Sequence, residues 1–263
     1  MVRGKLAKKA QVTIWIILAI VLVAAIALIF LLKIPEKIFP PAATPTMLLQ
    51  DCIKDKLDAT IGNISNRGGS INPVNAIMYK GEKIEYLCYT NQYYQTCKNQ
   101  QPMLKQHMER EILEAIEPEA KRCVGELKQE LTSRGYDVSG KEDVSVEITQ
   151  NNVRVSVSGF SARKEETAEI YDKFEAVKPS SIYDLVMMTT SILNFEARYG
   201  DSDTMTYMIY YPTMKVEKYK QSDGSKIYIL ADRNTGESFT FATRSLSWPA
   251  GYGFGQTYTP VSV

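Results

Sequence analysis

The chain is poor in the side chains that bind metals. Its 263 residues include one histidine, His107, and four cysteines that form no C-x-x-C pair. Because a zinc site needs cysteine or histidine ligands paired at short spacing, these shortages argue against a metal centre. G-x-G-x-x-G and Walker sequences are also missing, and the formal net charge is only +1. We therefore expect no cofactor, and we expect no nucleic acid among the partners.

Charge is missing from one long stretch near the N-terminus. Residues 12–32 contain no charged side chain, whereas residues 1–11 contain four positive charges and no negative one. At about 1.5 Å per residue, a helix over this stretch spans about 30 Å, one bilayer core. We predict a single-pass transmembrane helix with membrane lipid as a partner. The positive charges before it predict a cytoplasmic N-terminus and an extracytoplasmic C-terminal domain.

Catalytic motifs are absent or incomplete. Residues 161–164 match S-x-x-K but follow a predicted strand, whereas this chemistry needs the serine at the start of a helix. Residues 159–163 lack the last glycine of the G-x-S-x-G elbow. His107 lies on a predicted apolar helix face, where a packed or surface histidine is a simpler interpretation than a base. We predict no catalytic residue and no enzyme activity.

Proline and local composition divide the chain into parts. Four of the eleven prolines lie in residues 33–45, which predicts a semi-rigid stalk. Beyond it we predict an α+β fold with a disulfide-braced helix and hairpin region, followed by an antiparallel β region with one packed helix. The predicted parts are a cytoplasmic basic segment (1–11), the transmembrane helix (12–32), the stalk (33–45), a helical, cysteine-containing subdomain (46–135), an antiparallel β subdomain with a helix over 180–199 (136–246) and a glycine- and aromatic-rich tail (247–263).

Apolar residues at the 3.6-residue spacing predict the helices. One begins near Thr46 and ends at Gly68–Gly69, and another covers 180–199 with Phe195 on its apolar face. Two further helices are predicted in between, separated at Glu117–Pro118 because proline interrupts a helix interior.

Alternating apolar residues predict the strands. A hairpin is expected around Lys80–Glu82. In a second hairpin, Asn151–Asn152 as a two-residue turn places Ile148 opposite Val155 and Val146 opposite Val157.

A meander is predicted near the C-terminus, with strands at 205–211, 213–221 and 225–243. The last of these is two arms joined by a three-residue loop over 234–236, with Gly236 in the left-handed region. This loop length places Ile229 opposite Phe241.

The four cysteines allow three pairings. Cys88 and Cys97 flank a short segment on a predicted hairpin, and Cys52 and Cys123 each lie on the apolar stripe of a helix. We predict disulfides 88–97 and 52–123, and the alternative is four buried thiols. An extracytoplasmic location favours oxidation.

Tyrosine is enriched, with sixteen residues. Tyrosine offers a large contact area with one polar end, which suits the recognition of a protein or a glycan. The alternative is that tyrosine merely suits a β-sheet face. Tyr89, Tyr93 and Tyr94 are the candidate recognition residues, because they lie in or beside the segment that Cys88 and Cys97 would close.

The tail combines glycines with single aromatic residues. We expect Trp248 to pack on the domain and the chain beyond Gly251 to be mobile, because glycine raises chain entropy and Pro249 ends the preceding strand.

Lys8–Gln11, running straight into the apolar stretch, resembles the class III signal of archaeal type IV pilins. More broadly the chain resembles archaeal single-pass membrane-anchored extracytoplasmic proteins of unassigned function. This broader resemblance rests on the Cys52 helix, Gly68–Gly69, the Cys123 helix and the hairpin VSVEIT/VRVSVS. It implies a location and an architecture and supplies no activity.

Three hypotheses of function follow. The first is a membrane-anchored cell-surface interaction or envelope-structural protein whose outer domain binds a protein or a glycan without catalysis. The second is a pilin-like or secretion-apparatus membrane subunit. The third is an extracytoplasmic hydrolase. The sequence leaves the oligomeric state open.

Overall fold

The computed structural model describes Trp15 and residues 17–24, 44–164 and 169–249. The chain divides into two compact units, Met1–Thr44 and Pro45–Val263. In the first unit, Trp15 and residues 17–24 are helical. Among all the described residues, no helix is both long enough and apolar enough to cross a membrane.

The transmembrane helix is the part of the predicted fold class that has to be corrected. The described part of 12–32 is Trp15 and residues 17–24, which is shorter than the roughly 20 apolar residues that a bilayer core requires. The fold class is therefore α+β with two disulfides. The predicted basic segment, and the stalk up to residue 43, lie outside the described residues.

The second unit contains four helices and ten strands within residues 44–164 and 169–249. The helices are α1 (Pro45–Asn66), α2 (Leu104–Ser133), α3 (Ile182–Tyr199) and α4 (Thr204–Tyr210). The strands are β1 (Ala76–Tyr79), β2 (Glu82–Tyr89), β3 (Lys98–Asn99), β4 (Asp137–Thr149), β5 (Asn152–Lys164), β6 (Glu169–Tyr171), β7 (Phe174–Pro179), β8 (Met214–Lys220), β9 (Ser225–Asp232) and β10 (Ser238–Arg244).

The strands form two sheets. The larger has the order β1-β2-β10-β9-β8, with β3 also paired to β2, and the smaller has the order β4-β5-β6, with β7 also paired to β5. Every pairing is antiparallel except that of β2 with β10, which is parallel. The larger sheet thus combines strands from both predicted subdomains, 46–135 and 136–246.

Helices cover these sheets and bury one large core, and Ile84, Tyr86, Ile227 and Ala242 form a second, smaller cluster in the larger sheet. α1 and α2 pack on each other, α1 also packs on β7, and α2 packs on β4. α3 packs on β10 and β9 of the larger sheet. The apolar stripe predicted for α1 is buried at Leu49, Ile53, Leu57, Ile61 and Ile64.

The predicted helix break at Glu117–Pro118 is wrong, because α2 continues through it as one helix of 30 residues. Pro118 lies on the exposed side, where the carbonyls of a helix tilt toward water and a missing hydrogen bond costs least. On the opposite side the buried stripe is continuous from end to end: Leu104, Met108, Ile112, Ile116, Ala120, Cys123, Val124, Leu127 and Leu131. Tertiary packing therefore outweighs the local effect of proline.

The β4–β5 hairpin is confirmed, but its register is wrong by two residues. Ile148 lies opposite Val153 rather than Val155, and the turn is formed by residues 150–151. A shift of two residues returns each side chain to the same face of the sheet, so the apolar pattern cannot distinguish the two registers.

The segment predicted as a strand at 205–211 is the helix α4. The Asp203 side chain caps its first turn by accepting hydrogen bonds from Met205 N (3.0 Å) and Thr206 Oγ1 (2.7 Å). The aromatic and β-branched residues that favoured a strand are outweighed by this cap and by packing on β8.

The β9–β10 register is wrong by one residue. Asp232 pairs with Glu237 across a four-residue loop, and Asp232 Oδ1 accepts a hydrogen bond from Asn234 N (2.9 Å). This Asx turn adds one residue to the predicted loop, although Gly236 has the expected positive φ of 75°. Phe241 therefore lies opposite Tyr228 instead of Ile229.

Two disulfides crosslink the second unit, one between residues that are distant in sequence and one between residues that are close in sequence. Cys52 of α1 is bonded to Cys123 of α2, across a sequence separation of 71, and Cys88 is bonded to Cys97, across a separation of 9. These are the two pairs that the helix stripes and the short segment favoured. The first bond fixes the α1–α2 pair, and the second closes a loop at the end of β2.

We expect the two disulfides to contribute unequally to stability. In the chain-entropy model a crosslink over the longer separation contributes about 4 kcal/mol and one over the shorter about 3 kcal/mol. Urea unfolding should therefore give a greater loss for Cys52→Ala/Cys123→Ala than for Cys88→Ala/Cys97→Ala. An equal or reversed order would mean that the disulfides do not act mainly on the unfolded chain.

Candidate functional site

A disulfide-closed loop lies where two parallel strands end together. Residues 89–96 leave the C-terminal end of β2 between the bonded residues Cys88 and Cys97. Because β10 is parallel to β2, the chain leaving β10 at residue 245 emerges beside this loop. The β2–β10 register also shifts by one residue between Ala242 and Thr243, a bulge of the kind that redirects chain at a sheet end.

Hydrogen bonds join the loop to the segment after β10. They are Thr90 N to Arg244 O (3.1 Å), Leu246 N to Gln95 O (2.8 Å), Tyr94 N to Ser247 O (3.0 Å) and Cys97 N to Ser245 Oγ (2.9 Å). Backbone N–H and C=O groups of the loop and of the segment after β10 thus pair with each other. Together with the disulfide, they hold the loop in one conformation.

Three exposed rings lie together on this framework, and we call Tyr93, Tyr94 and Trp248 the aromatic platform. Their exposed fractions are 47%, 53% and 41%. Tyr94 and Trp248 meet edge to face with ring centroids 4.9 Å apart. The buried Arg244 guanidinium lies 5.5 Å from the centroid of the Tyr93 ring, a cation–π arrangement.

The third candidate tyrosine lies elsewhere. Tyr89 is half-buried against Tyr86, with ring centroids 4.9 Å apart. Trp248, which the sequence suggested only as a packing residue of the tail, takes its place beside Tyr94. The predicted mobility beyond Gly251 concerns residues outside the described part of the chain.

Of the three non-glycine residues with positive φ in the described part of the chain, Lys80 turns between β1 and β2 and the other two lie at the platform. Tyr94 has φ 60° and Leu246 has φ 47°, both in the left-handed region that non-glycine residues rarely adopt. Such a residue costs of order 1–3 kcal/mol, and strained residues of this kind cluster at functional sites. Here the disulfide and the hydrogen bonds between the two segments hold the strain in place.

A buried ion pair fixes the chain that carries Trp248. Glu196 of α3 is fully buried and lies 2.8 Å from Lys226 Nζ of β9, while the Tyr228 hydroxyl donates a hydrogen bond to it. Burial raises the pKa of Glu196 above its usual value, and Lys226 opposes that rise. The backbone carbonyl of Glu196 accepts a hydrogen bond from Ser245 Oγ (2.9 Å), which ties the start of the segment to α3.

Two glycines let the segment run close to the domain. Gly200 ends α3 with φ 81°, and Gly224 turns between β8 and β9 with φ 87°. A Cβ on Gly200 would overlap the Leu246 side chain, and one on Gly224 would overlap the Cβ of Ser247. The path to Trp248 therefore depends on glycine at both positions.

A second polar cluster surrounds the histidine. Ser70 Oγ lies 2.8 Å from His107 Nε2 and also contacts the Glu85 carboxylate, while Glu111 accepts a hydrogen bond from Ile71 N (2.8 Å). Burial raises the pKa of Glu85 and lowers the pKa of His107. Sequence reasoning missed this cluster, because its members come from α2, β2 and the loop after α1 with no shared spacing.

The cluster lacks the geometry of a catalytic triad. In a triad the carboxylate orients the imidazole, whereas Glu85 contacts the serine itself. Ser70 is only 5% exposed, so a substrate carbonyl does not reach its hydroxyl in this conformation. Ser161, the serine of the S-x-x-K match, lies within β5, which extends beyond the predicted strand to Lys164, and not at the start of a helix.

The remaining carboxylates and one cleft complete the polar features of the described residues. In the described part of the chain, no group of three or more histidine, cysteine, aspartate or glutamate side chains is placed to hold a metal ion. A cleft of about 150 Å³ between α1 and β7 contains the ion pair of Lys178 with Asp58, but its lining includes no serine, cysteine or histidine. Comparisons with protein-family models, curated proteins and solved structures found no match.

Removing the Lys226 charge should destabilise the domain strongly. Lys226→Met leaves the Glu196 carboxylate buried without its counter-ion, which costs about 3–5 kcal/mol, whereas the double variant Lys226→Met/Glu196→Gln should recover most of that loss. The control is Lys220→Met, since the Lys220 side chain is 69% exposed and pairs only distantly with Asp201. Urea unfolding measures all three, and equal losses for Lys226→Met and Lys220→Met would contradict this account.

His107 should make stability depend on pH. Because its pKa is lower in the folded state than the ordinary 6.5, the unfolded chain takes up the proton first. The contribution of neutral His107 is therefore complete above about pH 6.5 and declines as the pH falls further. The difference in free energy of unfolding between the native protein and His107→Gln should be larger at about pH 8 than at about pH 5.5. A constant difference would show that His107 does not titrate in this way.

Proposed function

We propose that this protein is a non-catalytic, extracytoplasmic binding protein of the cell envelope, and that its aromatic platform contacts a protein or a glycan. The observation that carries the proposal is the platform itself. Three large rings, two from the loop closed by the Cys88–Cys97 disulfide and one from the segment after β10, are exposed together, and backbone hydrogen bonds join the loop to that segment.

The cysteine chemistry supports the location. Both disulfides are formed and no described cysteine is free. Disulfides persist in oxidising compartments and are rare where thiols are kept reduced. An extracytoplasmic domain agrees with this pattern.

The rigidity of the platform supports binding. A ligand that meets preformed rings does not have to order the loop, so more of the contact energy remains as affinity. Tyrosine and tryptophan also lose little rotamer entropy on binding for the area they cover. The positive φ of Tyr94 costs stability, so its retention supports a loop conformation that serves ligand contact.

Hydrolysis is supported less well. The Ser70–His107 contact is the observation that would favour it, but the serine is buried and Glu85 contacts the serine instead of orienting the imidazole. A simpler interpretation of the cluster is a buried hydrogen-bond network that fixes the loop after α1 against β2 and α2.

Binding to envelopes of the producing cells tests the proposal. Tyr93→Ala/Tyr94→Ala removes two of the three rings, so retention of the labelled full-length protein on isolated envelopes should weaken about tenfold, as for the loss of an aromatic hot spot. Quantitative sedimentation measures this. Since both rings are exposed, the thermal unfolding midpoint should change little.

The matched control is Tyr210→Ala. Tyr210 is 75% exposed on α4, which packs on the edge strand β8, two strands away from β10. Its removal should leave retention unchanged. Retention that is insensitive to the platform variant, or equally sensitive to Tyr210→Ala, would refute a binding role for the platform.

A further inference from the structure

We infer that the ligand of the aromatic platform is an uncharged carbohydrate chain, an inference that rests on the proposed function. The two segments that carry the platform, 89–96 and 245–249, contain no ionic side chain, present amides and hydroxyls, and cover only a small area. Each of these properties bears on the ligand class separately.

Charge is the first property. Residues 89–96 and 245–249 contain no aspartate, glutamate, lysine or arginine, in a chain of which 23% is charged. The exposed Lys98 and Asp223 border these two segments without belonging to them. The other neighbouring ion, Arg244, is 9% exposed, donates to Thr90 O and Asp223 O, and lies against the Tyr93 ring. Its charge therefore supports a ring and is not presented to a ligand. An acidic polysaccharide or a charged peptide would find no complementary ion within these two segments.

The polar groups are the second property. Asn91, Gln92 and Gln95 are exposed around Tyr93 and Tyr94. A primary amide both donates and accepts hydrogen bonds, as a sugar hydroxyl does, so the two can pair without any ionised group. The faces of aromatic rings are negative, and the polarised C–H bonds of a pyranose ring pack favourably against them. Rings bordered by amides therefore match both surfaces of a sugar.

The size of the surface is the third property. The loop and the segment after β10 together supply about a dozen residues, whereas a standard protein interface uses about 20–30 residues on each side. Residues 89–96 also contain no leucine, isoleucine, valine or methionine, the aliphatic residues that would fill the centre of a protein interface, and residues 245–249 contain only the half-buried Leu246. A few sugar units would cover a surface of this extent.

Trp248 provides a direct readout. The chain has two tryptophans, so Trp15→Phe leaves Trp248 as the only one. We would titrate full-length Trp15→Phe protein with uncharged hexasaccharides (cellohexaose, maltohexaose, mannohexaose and chitohexaose) and with the acidic hexagalacturonate. At least one uncharged hexasaccharide should change Trp248 emission at concentrations below about 10 mM.

Variants then locate the binding. Tyr94→Ala should weaken the Kd of that hexasaccharide about tenfold, while Tyr94→Phe, which keeps the ring and the backbone demand, should stay within about twofold. Tyr210→Ala should leave the Kd unchanged. The inference is overturned if no uncharged hexasaccharide binds, if hexagalacturonate binds as tightly, or if Tyr94→Ala has no effect.

Chemical treatment of the envelopes separates this inference from the proposed function. Periodate, which cleaves sugar diols, should abolish platform-dependent retention, and proteinase should not. If retention survives periodate and is lost to proteinase, the platform binds a protein, so the proposed function stands and the carbohydrate inference fails. If retention never depended on the platform, the proposed function fails first.

Discussion

A carboxylate with no access to water determines the structure around the platform. Glu196 is fully buried, and a buried charge is tolerated only when it is paired and hydrogen-bonded. Lys226 and Tyr228 of β9 meet this requirement, and Lys226 also donates to the Gly200 carbonyl at the end of α3. The pair therefore sets where α3 ends against the larger sheet. That end is the surface over which the chain leaving β10 must pass.

The parallel pairing of β2 with β10 brings the anchored segment next to the loop and so forms the platform. Parallel strands end on the same side, so the loop closed by Cys88 and Cys97 lies beside the segment that the Glu196 carbonyl and Gly200 hold in place. Neither segment builds the platform alone. Tyr93 and Tyr94 belong to the loop, whereas Trp248 lies 153 residues after Gln95 in the chain. The rings of Tyr94 and Trp248 meet only because the two strands are neighbours.

Local patterns in the sequence predicted the helices and strands better than they predicted how these elements pair and pack. The stripe of α1, the β4–β5 hairpin and the exposed Tyr93 and Tyr94 follow from spacing and from short-range geometry. The β4–β5 register did not follow, because registers two residues apart bury the same faces. Phe195 was assigned to the core and is 47% exposed, since α3 buries Glu196 instead. A rule that keeps glutamate outside the core cannot anticipate a buried pair whose lysine lies 30 residues away.

The same reasoning explains why two of the three platform rings were predictable. Tyr93 and Tyr94 lie between two cysteines that are close in sequence, so the closed loop can be predicted from local sequence alone. Trp248 and Arg244 join the platform through a parallel strand pair, and parallel pairing requires a long crossover that leaves no short-range signature. Glu196, Lys226 and Arg244 are buried, while the exposed residues within 89–96 and 245–249 are uncharged. Ionic interactions at this end of the domain are used to hold the chain in place, so recognition is left to rings, amides and hydroxyls.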